Sequence, residues 1–265
     1  MSDELHILLT NDDGIGTVGI RALYDTLSEL ADVTVVAPAG DQSAVGRAMS
    51  SEVDVTEHEL GYAVAGTPAD CVVAGLAELA PDPDLVVAGC NRGANLGEYV
   101  LGRSGTISAA VEAAFFDVPA IATSLYVPES EIPFDEVELT AEDYREATRI
   151  TDFLVRNALE EEIFGEAAYL NVNVPLPDGA PAGIEITRPS KRYEMDASRN
   201  GGSITLHDKI WETMDPATIP DPKGTDRRAV VEGRISVSPL TAPHSVTHHE
   251  RLDALVDQYE TRLKQ

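Results

Sequence analysis

The sequence predicts an α/β fold of three layers, Rossmann-like, with a mostly parallel sheet, helices on both of its faces and an irregular C-terminal arm used in oligomerisation. Three observations predict it. Short apolar runs recur at 5–9 (LHILL), 33–37 (VTVVA), 85–89 (LVVAG) and 120–124 (AIATS), as strands buried on both faces require. Segments of helical period separate the runs, which gives the crossovers of a parallel sheet. Polar, glycine-rich loops follow the runs at their carboxyl ends, where open α/β sheets bind ligands.

Taken in order, LHILL is followed by Ile20, Leu23, Tyr24, Leu27 and Leu30, repeating at helical spacing before VTVVA. That is one βαβ unit. Residues 62–65 read as a further strand. GTPAD (66–70) then opens a helix. Thr67 is its expected N-cap, Pro68 takes the first helical position, and Asp70 at the third can reach back to the cap. After LVVAG and its loop, Ile107, Ala110, Val111, Ala114 and Phe115 mark one helix face, and Pro119 leads into AIATS. A helix over 140–159 and a strand over 169–174 extend the core.

Residues 175–223 hold seven of the 16 prolines, Gly201-Gly202 and the single tryptophan, with little periodicity. So long a stretch without pattern reads as an arm ordered by a partner subunit or by a hairpin of its own. Strand signals over 229–238 and a helix over 249–263 complete the chain. The expected organisation is a core at 1–174, an arm or hairpin extension at 175–228, and a strand and helix at 229–265 that pack on the core or on a partner subunit.

Composition narrows the function classes. With 46 acidic and 19 basic residues the net charge is −27, which repels nucleic acid and anionic membranes. The acids are scattered and not gathered in a tail, so they read as a solvated, halophilic-type shell in which salt screens the self-repulsion. No stretch approaches the about 20 apolar residues of a membrane span, and no signal-peptide pattern opens the chain. A cytoplasmic protein is expected, with Cys71 and Cys90 as reduced thiols.

The first loop poses the functional question. In LLTNDDGIGTVGI (8–20), Gly14, Gly16 and Gly19 spell G-x-G-x-x-G, while Asp12 and Asp13 stand just ahead of them. A dinucleotide loop would rest a pyrophosphate on the helix N-terminus, but two carboxylates there would repel it unless a cation lay between. Like charges a few ångströms apart raise each other's pKa, and a hard divalent ion relieves that strain. The plainer alternative is that Asn11 and one of the aspartates cap the helix or shape a turn. Other strand ends carry suitable groups: Asp41, Gln42 and Ser43 after the second strand, and Asn91, Asn95, Ser104 and Thr106 in GCNRGANLGEYVLGRSGT (89–106). Ser104-Gly105-Thr106 sits at a helix start, where free N–H groups favour a phosphate. A non-catalytic nucleotide or dinucleotide binder using the Gly14/Gly16/Gly19 loop is the alternative function.

These residues resemble the SurE family of stationary-phase survival proteins, metal-dependent 5′/3′-nucleotidases. The resemblance is carried by ILLTNDDGIG (7–16), VVAP (35–38) with Ser43 beyond it, GTPADCV (66–72), the run from LVVAGCNRGANLG through SGTISAAVEAA to VPAIATS (85–124), GTD (224–226) and ISVSPL (235–240). It implies one divalent ion on Asp12, Asp13, Ser43 and Asn91. These are all oxygen donors, which suit Mg²⁺ or Mn²⁺. It also implies catalysis by Asp12 and Asp13, phosphate contacts from Asn95, Ser104, Gly105 and Thr106, a nucleoside monophosphate substrate, and a homodimer or homotetramer. His248 and His249 are adjacent, do not share a helix face, and read as surface histidines. The chain departs from the family pattern at Gly16 and Val18, where a histidine and a proline are usual, at Ala88 for serine, and at Arg103 for tyrosine. An acid usual a few residues upstream of Arg103 is shifted or is represented by Glu98.

Overall fold

The computed structural model describes residues 5–128, 136–159, 163–177 and 182–242. The chain runs β1 (His6–Thr10), α1 (Val18–Leu27), β2 (Asp32–Pro38), β3 (Val55–His58), β4 (Gly61–Val64), α2 (Pro68–Ala74), β5 (Leu85–Arg92), α3 (Gly105–Phe115) and β6 (Ala120–Tyr126). It continues through α4 (Arg145–Ala158), β7 (Tyr169–Pro175), β8 (Ile184–Ile186), β9 (Met195–Asn200), β10 (Ser203–Asp208), α5 (Asp226–Val231) and β11 (Ile235–Leu240).

Nine of these strands form one sheet in the order β3-β4-β2-β1-β5-β6-β7-β11-β8. The pairings from β4 through β7 are parallel, while β3 on β4 and β11 on β7 are antiparallel. Alternation along β1 divides the core between two faces. Ile7 and Leu9 join Ile20, Leu23 and Leu27 of α1 and Ala147, Ile150 and Val155 of α4. Leu8 joins Cys71 and Val72 of α2 and Ile107, Ala110 and Ala113 of α3. Each fully buried Leu or Ile side chain contributes about 1.5–3 kcal/mol of apolar transfer. The three layers are therefore α1/α4, sheet and α2/α3. Cys71 and Cys90 are buried free thiols.

Local signals place the helices. Thr67 accepts from the Asp70 N–H while the Asp70 side chain accepts from the Thr67 N–H, so the expected capping box opens α2. Ser104 caps α3 through the N–H of Ile107. The segment expected as a helix over 140–159 begins with a 3₁₀ turn, Ala141–Tyr144, before α4.

Two elements differ from the sequence reading: β3, at the sheet edge, falls where no strand was expected, and the start of the strand expected over 229–238 is a helix. Ala229, Val230 and Val231, expected as the start of a strand, close α5, and the strand begins at Ile235. The Ala-Val-Val run has strand propensity, but tertiary bonds made by Asp226 fix the helical turn and override it. The expected helix over 249–263, with His248 and His249, lies outside the described residues.

Two sides of the chain diverge from β1. The chain passes from β1 to β2 and β4 on one side, and β5, β6 and β7 lie on the other. The gap between β1 and β5 is the topological switch point, where the crossovers part and leave a crevice at the carboxyl ends of the strands. Within the arm, β8 joins the main sheet beside β11, and β9–β10 form a separate antiparallel hairpin.

Candidate active site

The turn after β1 is shaped by Asn11. Its Oδ1 accepts from the Gly14 N–H at 3.2 Å, and its Nδ2 donates to the Gly14 carbonyl at 2.9 Å and to Thr17 Oγ1 at 3.1 Å. Turn-shaping is thus done by Asn11, which leaves the two aspartates to other partners. Asp12 accepts from Thr106 Oγ1 at 2.6 Å, and Asp13 Oδ2 accepts from the Arg92 N–H at 2.8 Å.

Asp12 is 3% exposed. Burial pushes its carboxyl up from the ordinary range, against the hydrogen bonds from Thr106. Burial first, and then the Asp12 charge beside it, raise Asp13 to about 7. Neither carboxylate is ion-paired among the described residues. The attraction of the Arg92 guanidinium for Asp13 is the smallest of the influences on it, so a buried acid and a half-buried one side by side call for further positive charge.

The neighbouring loops bring neutral oxygens to the same place. The Gln42 N–H donates to the Asp12 carbonyl at 2.7 Å, tying the loop after β2 to the tip of β1. In that loop Asp41 Oδ1 accepts from the N–H of Ser43 at 2.8 Å and from its Oγ at 2.5 Å, which fixes the hydroxyl. Asn91 stands within β5, which runs beyond the expected strand end, and its Nδ2 donates to the Gly93 carbonyl at 2.6 Å. That bond leaves the amide oxygen as the group to face a ligand. Asp12, Ser43, Asn91, Asn95 and Ser104 line one cavity of about 330 Å³. Asp13 lines an adjoining cavity with Asp41 and Ser43.

No trio of His, Cys, Asp or Glu side chains able to hold an ion stands together among the described residues. A cation here would be held by two carboxylates completed by a hydroxyl and an amide oxygen, a hard donor set of the kind that suits Mg²⁺ or Mn²⁺. The donor chemistry fits such an ion.

Of the four expected phosphate contacts, Asn95 and Ser104 line the cavity, whereas Gly105 and Thr106 support Asp12. The Thr106 hydroxyl is committed to the Asp12 carboxylate. A Cβ at Gly105 would lie 2.7 Å from Asp12 Cβ and 2.9 Å from Asp12 Oδ2, so the carboxylate reaches the start of α3 only because residue 105 has no side chain. The glycine fingerprint has separate uses. A Cβ at Gly19 would lie 2.1 Å from the Cys90 carbonyl, so that glycine lets α1 approach β5, while Gly16 has nothing within 4 Å of its missing Cβ. Packing and turn geometry account for the motif without a pyrophosphate.

Several partners escaped sequence reasoning. The Asn95 N–H donates to Asn173 Oδ1 at 2.7 Å, its side chain donates to Ser124 Oγ at 2.9 Å, and its carbonyl accepts from Asn171 and Asn173. Two asparagines at period 2 in the buried strand YLNVNVP are the signal that could have found them. Asp226, within the GTD segment, accepts from the N–H groups of Gly97, Ser190 and Arg227 at 2.7–2.9 Å. It thereby binds the glycine-rich loop to the base of the arm.

Comparison with known proteins identifies the family and the fold. The family model described as survival protein SurE matches residues 7–196. A protein of Haloarcula marismortui named 5′-nucleotidase SurE is 62% identical over 97% of this chain and 96% of its own. One of the same name from Syntrophobacter fumaroxidans is 39% identical over 95% and 98%. The crystal structure of the SurE protein from Aquifex aeolicus superposes with a TM-score of 0.73 at 31% identity, covering 96% of this chain and 99% of that one. With acidic and neutral oxygen donors gathered at the β1/β5 switch point and this similarity running along nearly its whole length, the chain belongs to the SurE family.

Proposed function

We propose that this protein is a phosphomonoesterase that hydrolyses nucleoside monophosphates to nucleoside and phosphate, with one divalent cation, Mg²⁺ or Mn²⁺, held by Asp12, Asp13, Ser43 and Asn91. The single observation that carries the reading is the pair of carboxylates at the tip of β1, Asp12 buried and Asp13 half-buried, neither in a salt bridge among the described residues and both beside neutral oxygens from the loop after β2 and from β5. Membership of a family whose relatives are named 5′-nucleotidases supports the substrate class.

When bound, the cation supplies charge to neutralise the acids and a phosphoryl oxygen, and it lowers the pKa of water. The chain's own residues do the rest. Thr106 and the Arg92 N–H hold Asp12 and Asp13 in place, and Asp41 fixes the Ser43 hydroxyl. Ser104, at the positive end of α3, and Asn95 donate to the phosphoryl oxygens. Asp13 orients the attacking water, whose oxygen forms the new P–O bond as the bond from phosphorus to the ribose oxygen breaks; the water's proton passes to solvent, and the ribose oxygen takes one from solvent as it leaves. Catalysis thus falls to Asp12 and Asp13 together.

The reading extends to a cytoplasmic location, and among the described residues no helix is long and apolar enough to cross a membrane. It also extends to a homodimer or homotetramer joined through the arm, where Ile204 and Leu206 are exposed side by side on one face of the hairpin.

Phosphate release from AMP or GMP with added Mn²⁺ or Mg²⁺ tests the function. Asp12→Asn and Asp13→Asn are each expected to lower kcat/KM on the order of a thousandfold, with the circular dichroism spectrum unchanged. Turnover retained in both variants, or unaffected by EDTA, refutes the site.

A further inference from the structure

The cavity that contains Asp12, Ser43 and Ser104 has a second end, built by a different part of the chain. Asp208 closes β10 and Trp211 follows it, so the arm supplies this wall. Contacts to the glycine-rich loop fix it in place. Tyr99 Oη donates to Asp208 Oδ2 at 2.7 Å, and Arg103 Nη2 donates to Tyr193 Oη at 3.2 Å. The Ile210 N–H donates to Asp208 Oδ1 at 3.1 Å. Trp211 rests on the buried cluster of Leu96, Tyr126 and Val230 and stays partly exposed where it lines the cavity.

The two ends differ in chemistry. The core end offers hydroxyl and amide donors at a helix start, which suit a phosphate. The arm end offers an indole surface and a carboxylate. Asp208 repels a phosphate dianion, yet beyond the two hydrogen bonds above it has lone pairs left to accept from hydroxyls. A cavity of about 330 Å³ is of the size that takes one small ligand. A phosphomonoester entering phosphate-first would leave its sugar near Asp208 and a flat base near Trp211. Tyr99 is a poor platform for the base, because the guanidiniums of Arg103 and Arg227 each stand 5.3 Å from its ring centroid.

Resting on the phosphomonoesterase reading, we propose that the arm end of this cavity is the nucleoside subsite, in which Trp211 stacks the base and Asp208 accepts from the ribose hydroxyls. Trp211 is the chain's single tryptophan, so its emission reports the subsite in the unmodified protein. Titration with adenosine is expected to quench it saturably, while inorganic phosphate leaves it unchanged. Adenosine without effect, or both ligands quenching alike, overturns the proposal. AMP and ribose 5-phosphate differ by the base alone. Trp211→Ala is expected to lower the ratio of their kcat/KM values about tenfold, the scale of base–aromatic stacking, with Trp211→Phe restoring most of it; an unchanged ratio overturns the stacking. Asp208→Asn is expected to lower the AMP to 2′-deoxy-AMP ratio severalfold, and an unchanged ratio overturns the ribose contact. If adenosine quenched Trp211 while no phosphomonoester were turned over, the hydrolase reading would fall and the subsite would stand. The reverse pattern would remove the subsite alone.

Discussion

At the carboxyl ends of β1 and β5 the site's acids and amides are locked by buried partners; along the β9–β10 hairpin most side chains meet solvent. Asp12 and Asn91 are 3% and 8% exposed, whereas Ile204 and Leu206 are 63% and 70% exposed. The strand tips inherit their rigidity from a sheet packed on both faces. The hairpin has a single ladder of its own, tied back by the Tyr99–Asp208 and Arg103–Tyr193 hydrogen bonds. The difference teaches that groups which must hold atoms to tenths of an ångström are placed on the core, while the roles proposed for the arm, selectivity and assembly, fall on a less tightly packed element.

The strongest way to break that comparison is to disturb the core by one methyl group. In Gly105→Ala the new Cβ would meet Asp12 at 2.7 Å, in a region with no room to yield. The expected result is a fall in kcat/KM of about 100-fold, as misplacement by an ångström brings, with a stability loss of about 1–3 kcal/mol. Gly16→Ala is the control, since nothing lies within 4 Å of its missing Cβ. Equal effects in the two variants would mean that the rigidity ascribed to the Asp12 seat is not what catalysis uses.

A smaller and graded effect follows from Asp13. Its carboxyl is raised to about 7 by burial and by Asp12, well above the about 3.9 of an unfolded aspartate. Between those values the metal-free fold holds a proton that the unfolded chain releases, so this group's contribution to stability is lost as pH rises through about 7. On the proposed reading, a cation at this site would have to displace that proton. Loss of that one proton should therefore make apparent Mn²⁺ affinity climb about tenfold per pH unit below 7 and less steeply above it. Calorimetric titrations at several pH values measure the slope; an affinity flat from pH 5 to 8 would show that Asp13 is not a ligand. Thermal melts with and without Mn²⁺ should diverge as pH rises.

How much of this was legible in the chain depends on the range of the forces involved. The βαβ period, the Thr67 box and the Ser104 cap are local, and each forms where the spacing indicates. Asp12, Asp13, Ser43 and Asn91 were legible as polar residues at strand ends, because that edge is where an α/β sheet binds ligands. The supports were not. Asn173 reaches Asn95 across 78 residues and Asp226 reaches Gly97 across 129, and no local pattern encodes such a pairing. The edge strand β3 escaped because its residues are nearly all exposed and lack apolar alternation. Asp41 was visible as a polar residue, but its work of orienting Ser43 became apparent only from the hydrogen bonds.

The mildest change is expected on the hairpin. Ile204 and Leu206 lie on the same face of β10, opposite Arg199 and Ala197, and an isolated two-stranded ribbon with an uncovered apolar face is stabilised when something covers it. Ile204→Ser with Leu206→Ser should alter subunit stability by no more than about 0.5 kcal/mol per site, as exposed positions do, and should leave turnover of ribose 5-phosphate close to that of the parent. Sedimentation velocity is where the change should appear, as a shift from an assembled species toward single subunits. A pair of exposed side chains that altered turnover but not assembly would place the arm among the rigid parts of the site and erase the division between the two regions.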